Sequence, residues 1–146
     1  MRIGPFLFCL FPACADPDPA QIEKEVKAVI DAQVAAWNRG EVDEYMKGYD
    51  PTDDIVFTSG ANIRRGFRTT RDHFRRSYGD HPEKMGRLEF DDLEVHAIGA
   101  DGAWVLGRWR LRGVDGEPGG VFTLVLERRP EGFRVVMDHT SVEPSG

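Results

Sequence analysis

Apolar residues at Ile22, Val26, Val29, Ile30, Val34 and Trp37 recur at helical spacing, with Glu23, Lys24, Lys27 and Asp31 on the opposite side. Such a stripe marks an amphipathic helix that buries one face. Asp18 supplies an N-cap acceptor, Pro19 suits the first helical position, and Gln21 stands where a capping box wants it. Asn38-Arg39-Gly40 ends the helix, since Gly40 can take the left-handed conformation. Val42, Tyr45, Met46 and Tyr49 share one side of a second, short helix. Asp50-Pro51-Thr52-Asp53-Asp54 is a turn, Ile55 to Ser59 a strand, and Gly60-Ala61-Asn62 turns it back through Ile63 and Arg64. A third helix is predicted over about 67–78, with Phe67, Thr70, Phe74 and Tyr78 inward.

Beyond the polar loop from Gly79 to Gly86 the period changes to two. Strands are predicted over 87–98, 103–112, 120–129 and 133–142. The turns between them are Gly99-Ala100-Asp101-Gly102, Asp115-Gly116-Glu117-Pro118-Gly119 and Pro130-Glu131-Gly132. In the first strand Leu88 and Phe90 share one parity, Leu93 and Val95 the other. The phase change at Asp91-Asp92 predicts a β-bulge, which bends a strand. In the second, Arg108, Arg110 and Arg112 face water while Gly107, Trp109 and Leu111 face the core. Helices followed by an antiparallel meander imply an α+β fold. Three N-terminal helices would cover the concave side of a curved antiparallel sheet and enclose a cavity.

The chain has 146 residues, enough for one domain with a core. Its formal net charge of −6 argues against a nucleic-acid or anionic-membrane partner. The N-terminus departs from the rest: Met1-Arg2, then an apolar run from Ile3 to Ala15 ending in Ala13-Cys14-Ala15, then Asp16-Pro17-Asp18. This pattern predicts export to the periplasm or medium, with cleavage after Ala15. Phe11-Pro12-Ala13-Cys14 also fits a loose lipobox, which would cut after Ala13, lipidate Cys14 and anchor the protein to a membrane. The expected organisation is a leader and spacer over 1–19, a domain over 20–142 and a tail over 143–146. Both cysteines, Cys9 and Cys14, fall in the leader. The domain itself then has no disulfide, thiolate metal site or cysteine nucleophile.

Several blocks resemble known sequences. Trp37-Asn38-Arg39-Gly40-Glu41, Tyr45-Met46, Tyr49 and Asp54-Ile55-Val56-Phe57-Thr58-Ser59-Gly60 resemble the start of nuclear transport factor 2-like domains. Gly107-Arg108-Trp109, Gly120 to Leu126 and Phe133 to Ser141 resemble their last strands. The branch it is most similar to is the SnoaL-like group called domain of unknown function 4440. The resemblance covers about residues 20–142. It implies a cone-shaped fold, a pocket between helices and sheet, and a homodimer, but no single activity. Ketosteroid isomerases of that superfamily use a carboxylate base with an oxyanion hole of a tyrosine and a protonated aspartate. That set does not map here: the first helix has no tyrosine on its buried stripe, and nothing makes Asp91 or Asp92 a buried neutral acid.

Among candidate residues His139 leads. On the last strand it shares parity with Phe133, Val135, Met137 and Ser141, so it is expected to face the helices as a general acid or base. Asp138 is expected on the opposite face, paired with Arg108 or Arg110. Trp37, Tyr49, Phe57, Phe74, Tyr78 and Trp109 are the expected lining of a pocket for a small, largely apolar ligand, with Ser59 and Ser141 at its mouth. His73, His81 and His96 lack ligand spacing and read as surface residues, so no metal and no cofactor is expected. Arg64, Arg65, Arg68, Arg71, Arg75 and Arg76 form a basic cluster that reads as a solvated helix face, with capture of an anionic ligand or partner as the alternative. Two functions follow: a pocket protein, as isomerase, hydratase or cyclase through His139, or a non-catalytic dimerisation or interaction module.

Overall fold

A computed structural model of the chain describes residues 17–143. The apolar leader and its two cysteines lie outside the described residues. Helix α1 runs Pro19–Asn38, opened by Asp18, whose side chain accepts a hydrogen bond from the Ala20 amide at 3.0 Å. Gly40, at φ 78°, turns the chain out of it. Ile22, Val26, Ile30 and Trp37 are buried along its inner face. Burial of each aliphatic side chain contributes about 1.5–3 kcal/mol. Val29 and Val34 are only half-buried, and Gln33 takes the inward place between them.

Helix α2 spans Val42–Met46, and a hairpin of β1 (Val56–Ser59) and β2 (Asn62–Arg65) follows. Helix α3 (Phe67–Phe74) widens into a π-helical turn at Arg75–Gly79. The remaining chain is β3 (Arg87–Ile98), β4 (Gly102–Arg112), β5 (Gly119–Arg129) and β6 (Gly132–Thr140). The strands form one sheet in the order β2-β1-β6-β5-β4-β3. The expectation of a wholly antiparallel sheet needs correction, because β1 pairs with β6 in parallel. The three reversals of the β3–β6 meander bring β6 alongside β1 in the same direction. Helices cover the concave face, giving the cone-shaped α+β architecture.

Two bulges shape this sheet. One lies in β3, where the register with β4 shifts between Asp91 and Glu94 and Asp92 takes φ 53°. The other lies in β6. Val125 pairs with Met137 but Leu126 with Val135, leaving Val136 as the extra residue. Past that point the parity of β6 reverses. Phe133 and Val135 point inward before the bulge, Asp138 and Thr140 after it. On the outer face Trp104, Leu106, Val121, Val125 and Met137 remain half-buried. There the Trp104 ring stacks on His96 with centroids 4.1 Å apart.

Candidate functional site

Aromatic side chains gather where α1, α2 and the π turn meet the concave sheet. The Trp37 ring lies 5.2 Å from Tyr45, 4.8 Å from Tyr78 and 6.2 Å from Phe74, all edge-on. Its indole N–H donates to the Met85 carbonyl at 3.0 Å, which fixes the ring at the cavity's helical side. Edge-on pairs of this kind add about 0.5–1.5 kcal/mol beyond area burial. These rings leave a cavity of about 210 Å³ between them and the sheet.

The residues expected to line a pocket distribute unevenly. Trp37, Tyr49, Phe57, Ser59, Phe74, Tyr78 and Trp109 do line the cavity. Ser141 does not: its hydroxyl accepts from the Val121 amide at 3.1 Å and donates to the Val121 carbonyl at 3.2 Å, outside the site. The Ser141 carbonyl in turn accepts the Trp109 indole N–H at 3.0 Å, so the chain end holds that ring at the rim.

His139 is also misassigned by parity. It is exposed on the outer face, opposite Thr123 and Thr58, because the extra residue Val136 turns the strand by one position. Asp138 takes the inward place and is 6% exposed, so the expected pairing with Arg108 or Arg110 fails. Arg108 instead lies near Asp92 and Glu143.

Asp138 is the chemically distinctive group of the cavity. Tyr49 donates its hydroxyl proton to Asp138 Oδ2 at 2.6 Å, and Oδ1 is buried without a partner among the described residues. Burial pushes the Asp138 carboxyl up to about 7, with the Tyr49 hydrogen bond pulling the other way. The Tyr45 and Tyr49 phenols are raised, first by burial and then by the Asp138 charge, so both stay protonated donors. The backbone that delivers Tyr49 is tied to the β6 bulge: Val135 N donates to Gly48 O and Asp50 N to Val135 O, each at 2.9 Å. Gly48 also makes room for the buried Gln33 side chain of α1, because a Cβ there would fall 2.4 Å from it.

At the cavity's other side stand Ser59, Asn62, Arg64, His73 and Thr140. The surface reading of His73 is corrected. Its ring lines the cavity, and burial followed by the charges of Arg64 and Arg76 lowers its pKa. The basic cluster also divides. Arg75 pairs with Asp43 at 2.7 Å and Arg71 with Asp72 at 2.9 Å, whereas Arg64 turns into the cavity over the Phe57 ring. Among the described residues no cluster of three His, Cys, Asp or Glu side chains could hold a metal ion. No helix among them is long and apolar enough to cross a membrane.

A family profile described as the SnoaL-like domain matches residues 26–144. The chain belongs to the SnoaL-like domain family. An NTF-2 like protein of unknown function from Shewanella oneidensis MR-1 is 32% identical, covering 82% of this chain and 98% of that one at a TM-score of 0.77. An NTF2-like protein of unknown function from Pseudomonas putida KT2440 is 21% identical over 84% of this chain and 87% of that one, with a TM-score of 0.70. A putative calcium/calmodulin dependent protein kinase II association domain from Xanthomonas campestris is 20% identical over 91% and 93% of the two chains, with a TM-score of 0.66. These last two likenesses concern the fold alone. No curated protein matches the chain. SnoaL-like and nuclear transport factor 2-like membership thus stand, and the numbered subgroup 4440 remains an expectation of the resemblance.

Proposed function

We propose that this SnoaL-like domain binds a small, largely apolar molecule in its cavity and that Asp138 serves as acid or base in an isomerase-, hydratase- or cyclase-type reaction. The observation that carries the reading is the buried Asp138 carboxyl, with Tyr49 on one oxygen and the other unpartnered beside an aromatic cavity. A carboxyl titrating near neutrality can take a proton from one atom and return it to another. Tyr49, kept protonated, holds the carboxyl in one orientation. The aromatic lining would exclude water and stack the ligand's body.

The test is solvent-deuterium incorporation into a panel of small aryl ketones with enolisable C–H bonds, followed by proton NMR. Exchange should be faster with the protein than in buffer and should fall about 100-fold or more in Asp138→Asn. Tyr49→Phe should retain part of it, with the profile displaced to higher pH. Undiminished exchange in Asp138→Asn would end the catalytic assignment.

A second reading concerns assembly. The half-buried outer-face residues Trp104, Leu106, Val121, Val125 and Met137 support a homodimer through the sheet, as the resemblance implies. Light scattering should report a dimer, and Val125→Arg a monomer. The leader's pattern favours export, with Cys14 lipidation as the membrane alternative. The intact mass of the mature chain distinguishes the two.

A further inference from the structure

Among the described residues, two buried polar atoms that line the cavity lack a partner, and only Asp138 Oδ1 is used by the proposed chemistry. The other is Arg64 Nη1, which is buried and has no hydrogen-bond partner. No ion pair or hydrogen bond to the Arg64 side chain occurs among the described residues, although its cluster neighbours Arg71 and Arg75 are both paired. A guanidinium nitrogen buried without an acceptor costs stability, and an anion would relieve that cost.

The sheet register gives the geometry. Phe57 on β1 pairs with Arg64 on one side and with Asp138 on the other. The three residues form one cross-strand row, and all three line the cavity. Neighbouring strands lie about 4.8 Å apart, so the backbones of Arg64 and Asp138 are roughly 10 Å apart with an aromatic ring between them. The row beside it is Asn62, Ser59 and Thr140, all polar and all cavity-lining. The guanidinium sits over the Phe57 ring, 5.8 Å from its centroid, which limits its motion.

We propose that the ligand is a small organic carboxylate: its carboxylate pairs with Arg64, its apolar or aromatic body lies over Phe57 and its reacting end reaches Asp138. This rests on the pocket reading above and adds the ligand's chemical class. Arg64 offers a planar fork of N–H donors that matches a carboxylate, and His73, Asn62 and Ser59 supply further polar atoms at that end. The local field favours an anion despite the chain's net charge of −6, since the charges of Arg64 and Arg76 both reach His73. An apolar body suits the row's centre, and the polar ends separate the anchored group from the reacting one.

The test compares phenylacetate with its neutral isostere phenylacetamide, by chemical-shift titration of the indole N–H signals. Phenylacetate should shift the Trp37 and Trp109 signals and bind at least about tenfold more tightly than phenylacetamide. Arg64→Gln should remove that preference, and Arg64→Lys should keep part of it. Arg68→Gln, with the same charge change at an exposed position, should leave it intact. A melting curve for each variant separates lost binding from lost folding. Equal binding of both probes, or a preference unaltered in Arg64→Gln, overturns the carboxylate assignment and leaves the pocket reading standing. No shift with either probe overturns both.

Discussion

The bulges of β3 and β6 are the same backbone device, yet one is legible from sequence and the other is not. In β3 the wet outer positions are polar, so the switch from Leu88 and Phe90 to Leu93 and Val95 is visible across Asp91-Asp92. In β6 the run Val135-Val136-Met137 is apolar on both faces. The outer face there is covered by half-buried apolar neighbours such as Val121 and Val125, so alternation carries no phase information. Hydrophobic periodicity locates a bulge only where one face of the sheet is wet. The difference matters because the unseen bulge decides which of two adjacent residues, Asp138 or His139, enters the cavity.

Deleting Val136 should break the comparison most severely. It would restore regular alternation with Val135 and Asp138 both still inward, and would straighten the strand where Val135 bonds to the Gly48–Asp50 backbone. A loss on the order of 3–5 kcal/mol in urea unfolding is expected. A deletion variant of unchanged stability would mean that the strand does not need its extra residue.

Asp138→Asn comes next. The folded carboxyl titrates near 7, above its ordinary value of 3.8, so between those pH values the folded state holds a proton that the unfolded state has released. Stability from this group is therefore complete at low pH and lost as pH rises toward and through 7. The total is on the order of 4 kcal/mol. Asp138→Asn should flatten that slope and melt higher than the parent at pH 8. Parallel stability–pH curves for the two proteins would refute the assignment of that slope to Asp138.

The β3 bulge offers a smaller effect. Asp92 sits at φ 53°, a region a β-branched residue strongly disfavours. Asp92→Val should cost about 1–2 kcal/mol by denaturant titration, and Asp92→Gly should be neutral or stabilising. Smallest of all, His139→Ala should change stability by no more than about 0.5 kcal/mol and leave deuterium exchange untouched. Loss of exchange in His139→Ala would return the histidine to the site.

Much of the fold was readable because its signals are local. The caps at Asp18 and Gly40, the α1 stripe and the turn glycines each act over a few residues. The aromatic lining followed from parity on elements without hidden irregularities, as for Trp37, Phe57 and Trp109. What escaped was non-local. The parallel pairing of β1 with β6 depends on how many times the intervening chain reverses, and the Tyr49–Asp138 bond joins residues 89 positions apart. Arg64 was hidden among five other arginines, and only the hairpin register separates it from a solvated cluster. An unexpectedly long apolar run in β6 was the one available hint.

The tryptophans give the protein three built-in optical reporters. Trp37 views the cavity from the helical side, Trp109 guards its rim, and Trp104 is stacked against His96 on the far side of the sheet. Replacing Trp104 with Phe would silence the emission that knows nothing of the cavity. The remaining light would then come only from the two rings that a ligand must pass or touch, making occupancy measurable without any label.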